Sequence, residues 1–282
     1  MRILQRTHIS YRTPSASRSL SSSPKGGAEG ASRQVCRIEE VVSMERFESE
    51  HYIFHYGKNT KAAENISRIA DYQEHCFRYI CSVLGVCPDF KLEYFLCSTP
   101  EEVGRFYGDN EPCNGFAAPP DKIYAVYNEQ VKCIGFHEDA HLISYLVNRP
   151  DPPAIREGLA MYFDRKWWGI QNLDWTGFYL KTGRYVPTDK LLDRTFFFEH
   201  DCAITYPIMG AFTDWLISSF GQEKYMQLYR QQDIAAGMVQ VYGKEPAELD
   251  QAFADYVGLF SIDPVLEQRM AELLNEANVE NT

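Results

Sequence analysis

Hydrophobic and polar positions alternate in three short stretches of the first half of the chain. These stretches are HYIFHY (51–56), FKLEYFLC (90–97) and DKIYAVYNE (121–129), and each is rich in aromatic or β-branched residues. Alternation with a period of two is typical of strands that bury one face. The pattern therefore predicts three strands, with NGFAAPP (114–120) as a loop before the third.

Apolar residues at helical spacing separate the strands. A long helix is predicted over 60–84, and TPEEVGRFY (99–107) has the features of a short helix capped by Thr99. A third helix is predicted over about 131–148, where the prolines of NRPDPP (148–153) end it.

Helical patterns dominate the second half of the chain. A helix is expected to begin near Ala154, and further helices are predicted at 207–221, 222–231 and 245–259. The whole pattern predicts an α+β fold with a small N-terminal sheet, a central pair of helices and a helical C-terminal half.

The first 43 residues differ from the rest in composition. They hold seven Lys or Arg against three acids and are rich in Ser, Gly and Pro, so they lack a core pattern. A disordered tail, an Arg/Ser-rich presequence and a true start at Met44 are alternative interpretations. We expect 1–43 to be a dispensable tail and 44–282 to be a single domain. Its expected parts are a sheet-containing half (44–150), a helical half (151–260) and a C-terminal helix or tail (261–282).

Charge and cysteine content narrow the function class. A net charge of −11 argues against general nucleic-acid binding, which needs a basic surface. No run of about 18 apolar residues occurs, so we expect no membrane span. The eight cysteines form no CxxC pair, which favours reduced thiols and a cytoplasmic protein over a disulfide framework.

The stretch HEDAH (137–141) carries the clearest candidate chemistry. Residues four apart share one helix face, so His137 and His141 can bind one metal ion. Glu138 then stands beside the metal, where a general base takes a proton from water. Chance alone would place about 0.01 such motifs in a chain of this composition. The alternative is two histidines that only happen to lie four residues apart.

Glu157 is the candidate third ligand. It follows His141 by sixteen residues, in AIREGLAMYFD, and catalytic zinc usually has three protein ligands. The proline-rich turn is expected to fold the two helices toward each other, and Gly158 permits a close approach. Alternatively, Glu157 is only an acid in a first helical turn, where it favours the helix dipole.

HEDAH followed by REGLAMYF resembles the gluzincin zinc metallopeptidases, in particular their compact peptidase MA-like members. The similarity covers roughly residues 50–258. It implies that His137, His141 and Glu157 bind Zn²⁺, that Glu138 is the general base, and that a peptide or protein is the substrate. A catalytically inactive, zinc-stabilised module that binds a peptide or partner is the alternative.

The resemblance extends to a transition-state donor and to a substrate strand. Tyr206, just before the predicted PIMGAFTDWL helix, takes the donor position, with His200 as the reserve. The alternative for Tyr206 is a ring that packs at a helix start. The strand DKIYAVYNE is expected to pair with an extended peptide, or else to be an ordinary sheet strand. Asp139 departs from the family pattern, which has an apolar residue there, and needs a polar partner if buried.

Overall fold

The structure, a computed structural model, describes residues 44–108 and 110–280. It has an α+β fold with a small mixed sheet in the N-terminal half and twelve helices in the described residues. The predicted fold class is thus confirmed. The prediction of a dispensable tail concerns residues 1–43, which lie outside the described residues.

Five strands form the sheet: β1 (Glu45–Glu48), β2 (Tyr52–Tyr56), β3 (Leu92–Cys97), β4 (Gly115–Ala118) and β5 (Lys122–Val126). Their order is β1-β2-β3-β5-β4. The β2–β3 and β3–β5 pairs are parallel, whereas β1–β2 and β4–β5 are antiparallel. A separate two-stranded hairpin consists of β6 (Lys166–Trp167) and β7 (Ile170–Gln171).

Four helices lie between the strands of the sheet or come after them along the chain: α1 (Lys61–Leu84), α2 (Pro100–Tyr107), α3 (His137–Ser144) and α4 (Pro153–Asp164). The remaining helices are α5 (Asn172–Lys181), α6 (Thr188–Leu191), α7 (Arg194–Phe198), α8 (Cys202–Phe220), α9 (Gln222–Tyr229), α10 (Ile234–Tyr242), α11 (Pro246–Val257) and α12 (Pro264–Glu280).

Backbone contacts divide the chain into two compact units. Of the described residues, the first unit holds 44–78 and 89–138, and the second holds 79–88 and 139–280. The sheet lies in the first unit, and α4 to α12 lie in the second. The single domain expected over 44–282 stays a prediction.

One face of the sheet is ordered by a row of stacked rings, one from each of four adjacent strands. The ring centroids of His55 and Phe95 are 4.5 Å apart, those of Phe95 and Tyr124 4.6 Å, and those of Tyr124 and Phe116 4.8 Å. Phe106 of α2 packs on this row, 4.9 Å from the Tyr124 ring. Cross-strand aromatic pairs of this kind stabilise the register.

The sheet corrects two predictions about the segment before the metal motif. Gly115–Ala118, predicted as part of a loop, forms β4 and pairs antiparallel with β5. Because β5 lies between β3 and β4, both of its edges are occupied, and the prediction that it pairs with a peptide is wrong. The outermost strand on this side of the described sheet is β4.

The metal-motif helix is shorter than predicted. It begins at His137 rather than near 131, because Gly135 has a φ of 138°, which a helix does not allow. A bridge between Tyr127 and Lys132 also holds the preceding segment in extended form.

In the second unit, α4 packs closely on α8. A Cβ at Gly158 would lie 2.7 Å from Thr213 Oγ1 and 2.9 Å from the Met209 carbonyl oxygen. On the facing helix, a Cβ at Gly210 would lie 2.7 Å from the Met161 Cβ. Two glycines therefore permit this helix–helix distance, and Gly158 is the neighbour of the candidate ligand Glu157.

Helix α8 begins five residues earlier than predicted. Asp201 caps it by accepting a hydrogen bond from the Ala203 N–H at 2.8 Å. Pro207 lies inside the helix and has no N–H to donate to the Ala203 carbonyl, but the Tyr179 hydroxyl donates to that carbonyl at 2.7 Å. Tyr206 is therefore inside α8, not just before it.

Candidate metal centre

Helix α3 buries the whole HEDAH stretch. The exposed fractions are 5% for His137, 5% for Glu138, 0% for Asp139 and 4% for His141. Charged groups are rarely buried to this extent unless they are paired or bind a metal ion. The burial therefore favours a specific role for these side chains over that of a solvated helix face.

The three predicted ligands come together. His137, His141 and Glu157 each offer a ligand atom, and these atoms all lie within 4.8 Å of one another. The His141 Nε2 and Glu157 Oε2 atoms are 3.3 Å apart, and Glu157 is 0% exposed. The i and i+4 spacing on α3 places the two imidazoles, and the start of α4 supplies the carboxylate.

This donor set fits a divalent metal ion. Tetrahedral zinc with bonds of about 2.0–2.1 Å separates neighbouring ligand atoms by roughly 3.4 Å. The 3.3 Å between His141 Nε2 and Glu157 Oε2 matches that spacing. Two neutral imidazoles and one carboxylate are a set that zinc and related metals accept. The residues therefore form a group that could hold a divalent metal ion.

Buried polar contacts hold the loop that joins α3 to α4. Arg156, 5% exposed, donates from Nη1 to the carbonyl oxygens of Pro150 and, at 2.8 Å, Asp151. These bonds tie the proline-rich turn to the first turn of α4. The backbone of Glu157, the next residue, is thereby held in place.

A chain of hydrogen bonds that the sequence analysis does not predict reaches the backbone of the candidate ligand His141. Tyr229 of α9 donates from its hydroxyl to Ser144 Oγ at 2.9 Å, and Ser144 donates to the His141 carbonyl at 3.0 Å. Asn148 adds bonds to the carbonyls of Tyr229 at 2.9 Å and Gln231 at 3.2 Å. No local signal marks these residues, because the partners are more than eighty positions apart in sequence.

Glu138, the predicted general base, lies beside strand β4. A Cβ built on Gly115, the first residue of that strand, would be 3.5 Å from Glu138 Oε1. A side chain at this position would therefore reach the carboxylate, and glycine leaves the space beside it open.

Asp139 is fully buried on the same helix. Its charge affects Cys81, since burial, the Cys87 thiol and then Asp139 together raise the pKa of Cys81 to about 12. Asp139 and Cys81 are 58 positions apart, so no local pattern predicts that they lie near each other.

The predicted donor Tyr206 is 2% exposed in an aromatic cluster. Its ring centroid lies 5.8 Å from that of Trp167 and 6.1 Å from that of Phe197. The reserve residue, His200, has Nδ1 2.7 Å from the Phe196 carbonyl oxygen, and its ring contacts the Phe196 ring at 4.4 Å. A role for either residue in chemistry stays a prediction.

A second group with metal-ligand spacing, Glu50, His51 and Glu74, is less suited to a metal ion. Glu74 Oε1 already accepts hydrogen bonds from Ser49 Oγ at 2.6 Å and the His51 N–H at 2.8 Å. The Arg78 guanidinium lies 3.4 Å from Glu74 and 3.6 Å from Glu50, so a cation already balances this charge.

Comparison with protein-family models and with curated proteins finds no match to this chain. Within the described residues, no helix combines the length and apolar character needed to cross a membrane.

Proposed function

We propose that this protein is a zinc-dependent metallopeptidase of the gluzincin type. The observation that carries the proposal is the buried group of His137, His141 and Glu157, with Glu138 directly after the first histidine. When bound, zinc would supply Lewis-acid chemistry that polarises a scissile carbonyl and makes water more acidic. The resemblance of HEDAH and REGLAMYF to gluzincin motifs supports this choice over other metal sites.

Glu138 is the proposed general base and, later in the reaction, the general acid. Its carboxylate accepts a proton from the attacking water and later gives it to the leaving amine. Its burial at 5% exposure limits competing solvent. Tyr206 is the proposed donor to the oxyanion, on the resemblance alone.

Strand β4 is the proposed docking strand for the substrate. It is the strand at one end of its sheet in the described chain, and a Cβ on its first residue, Gly115, would lie 3.5 Å from Glu138 Oε1. An extended peptide that pairs with an edge strand gains backbone hydrogen bonds. The substrate on this proposal is a peptide or an extended segment of a protein.

A second candidate is a non-catalytic, zinc-stabilised module that binds peptides. Nearly complete burial of all three ligand residues favours it, because a catalytic zinc keeps an open position that the substrate has to reach. Both candidates need the metal, and only the enzyme needs Glu138.

Metal analysis and a peptide library distinguish the candidates. We expect about one zinc per wild-type chain, and loss of that zinc in His141→Ala, because three ligands form the site. Exposed His75 offers a matched control, and His75→Ala should keep the metal. Zinc retained in a His137→Ala/His141→Ala double variant would overturn the site.

Glu138→Gln then tests the chemistry. It should keep zinc and lose peptide cleavage, whereas Glu223→Gln, at an exposed acid on α9, should keep both. Zinc-loaded wild type that cleaves no peptide, yet binds peptides as Glu138→Gln does, would favour the non-catalytic module.

A further inference from the structure

A small cavity lies in the second unit, between helices α4, α8 and α11 and the start of α5. Its volume is about 90 Å³. Three aromatic side chains line it, those of Tyr162, Trp215 and Tyr256, together with the charged side chains of Arg165 and Asp214. Aromatic surface with a few well-placed polar groups is typical of sites for small molecules. None of these residues belongs to the metal group, so the cavity is a further candidate site on the chain.

Arg165 and Asp214 form an ion pair at the cavity. The Arg165 Nη1 atom donates to Asp214 Oδ1 at 2.7 Å, and the guanidinium carbon lies 4.1 Å from the centre of the Tyr162 ring. The contact with the ring holds the guanidinium in place. The two charged side chains are 41% and 49% exposed, so a ligand from solvent can reach both. An ion pair this exposed contributes little to stability, so stability alone gives little reason for it.

The backbone of Arg165 is also unusual. Arg165 ends α4 with a φ of 67°, and its N–H donates to the Met161 carbonyl at 2.9 Å. Glycine is the usual residue at such a helix end, because a Cβ is strained in the left-handed region. Strained residues cluster at ligand sites, where the side chain has a task beyond stability. The chain thus accepts a less favourable backbone and places a guanidinium at the cavity.

A buried amide adds an acceptor that lacks a donor. Asn172 lines the cavity and is 5% exposed, and its Nδ2 donates to the Met161 carbonyl at 2.9 Å. Its Oδ1 atom has no hydrogen-bond partner in the described part of the chain. Buried acceptors are nearly always paired, so a donor from a bound molecule would complete this group.

The ion pair leaves donors and acceptors unused on both of its partners. A guanidinium has five N–H groups, and the bond to Asp214 takes one, so others remain for a carboxylate. Asp214 Oδ2 is outside this bond and can accept from an ammonium group. A molecule with only a negative charge would be repelled by Asp214, and one with only a positive charge by Arg165. A zwitterion has a favourable partner for each charge.

We propose that this cavity binds a small α-amino acid in its zwitterionic form. The carboxylate of the amino acid pairs with Arg165, its ammonium group pairs with Asp214, and its carbon atoms pack against the aromatic rings. A cavity of about 150 Å³ holds benzene, so one of about 90 Å³ has room for roughly five heavy atoms. Glycine and alanine have this size.

Equilibrium dialysis of the full-length protein against radiolabelled glycine and L-alanine tests the proposal. We expect saturable binding of one amino acid per chain. Acetate and methylammonium each carry one of the two charges. Each should therefore displace the amino acid about tenfold more weakly than unlabelled glycine does, or worse.

Two variants remove one charge each. Asp214→Asn keeps the shape of the side chain, and loss of its charge should weaken binding about 10- to 100-fold. Arg165→Gly should weaken binding at least as much and keep the melting temperature, because glycine adopts a φ of 67° without strain. The matched control is Glu267→Gln, which breaks the 2.7 Å ion pair of Lys181 and Glu267 in the same unit and should leave binding unchanged.

Each outcome decides the proposal. Wild-type protein that takes up neither amino acid would overturn it, since the cavity would then hold only water. Binding that survives both Arg165→Gly and Asp214→Asn would also overturn it, because the amino acid would then lie elsewhere, the metal group included. Acetate that competes as well as glycine would show that a carboxylate alone is recognised and would contradict zwitterion binding. The readout requires no peptidase activity, so it is independent of the proposed function.

Discussion

The hydroxyl of Tyr229 donates a hydrogen bond to Ser144 Oγ at 2.9 Å. Both residues are buried, with exposed fractions of 0% and 1%. Ser144 is the last residue of α3 and itself donates to the carbonyl of the candidate ligand His141 at 3.0 Å. Helix α9 is thereby tied to the end of the metal-motif helix.

Tyr229→Phe should therefore lower the free energy of unfolding and weaken zinc binding. Removal of one buried hydrogen bond costs about 1–2 kcal/mol, and α3 loses a contact that fixes its last turn. Urea unfolding of the metal-free protein and zinc competition with a chelator measure the two effects. The matched control is Tyr225→Phe, one turn earlier on α9, whose side chain is also buried and whose hydroxyl has no hydrogen-bond partner among the described residues. Equal zinc affinity in both variants would contradict a role for Tyr229 in positioning α3.

Gly158→Ala should displace helix α4 and with it the carboxylate of Glu157. The new Cβ would meet Thr213 Oγ1 at 2.7 Å and the Met209 carbonyl at 2.9 Å, so α4 has to move away from α8. Overpacking of this kind costs about 1–3 kcal/mol. Thermal melting and zinc content should both fall. Gly258→Ala is the control, since φ there is −64° and the nearest backbone atom would be 3.4 Å away, and it should change neither.

Glu74 is expected to contribute to the free energy of unfolding in a way that is lost at acidic pH. Burial raises its pKa, but hydrogen bonds from His51 and Ser49 outweigh this and lower the pKa below its ordinary value of 4.5. A carboxyl group that is more acidic in the folded state stabilises the fold above the unfolded pKa. That stability is lost as the pH falls through the folded pKa.

Glu74→Gln should therefore destabilise the protein most near neutral pH. We expect a loss of about 1–3 kcal/mol at pH values near 7, and a smaller difference from wild type at about pH 4 and below. Urea unfolding at both pH values is the measurement, with Glu223→Gln as an exposed control. A difference that stays constant with pH would show that the ionised form of Glu74 makes no special contribution.

Local sequence patterns predict much of the fold and the three candidate metal ligands. Apolar spacing predicts α1, and Thr99 does cap α2 by accepting from the Glu102 N–H at 3.3 Å. His137 and His141 of HEDAH come together with Glu157 in a group that could hold a metal ion. These features depend on residues close in sequence or on a spacing that a helix converts directly into geometry.

The errors arose where tertiary contacts override local preference. NGFAA is poor in strand-forming residues, yet it becomes β4 because it pairs with β5. The local pattern predicts a helix start at Pro207, yet α8 continues through it, and the Tyr179 hydroxyl donates to the Ala203 carbonyl that proline leaves without a donor. Neither partner can be recognised from the sequence around the affected residue.

Tyr206 offers the sharpest test of catalysis within the helical half. Tyr206→Phe retains the ring that packs on Trp167 and Phe197 and removes only the hydroxyl. If the hydroxyl donates to the oxyanion, kcat at equal zinc occupancy should fall about 10²–10³-fold. Tyr179→Phe is the matched comparison, because the Tyr179 hydroxyl donates to the carbonyl of Ala203, which lies in α8 with Tyr206. Loss of this hydrogen bond should lower stability and leave kcat per bound zinc unchanged. An unchanged kcat in Tyr206→Phe would show that Tyr206 is only a packed aromatic residue. His200 would then be the next candidate donor.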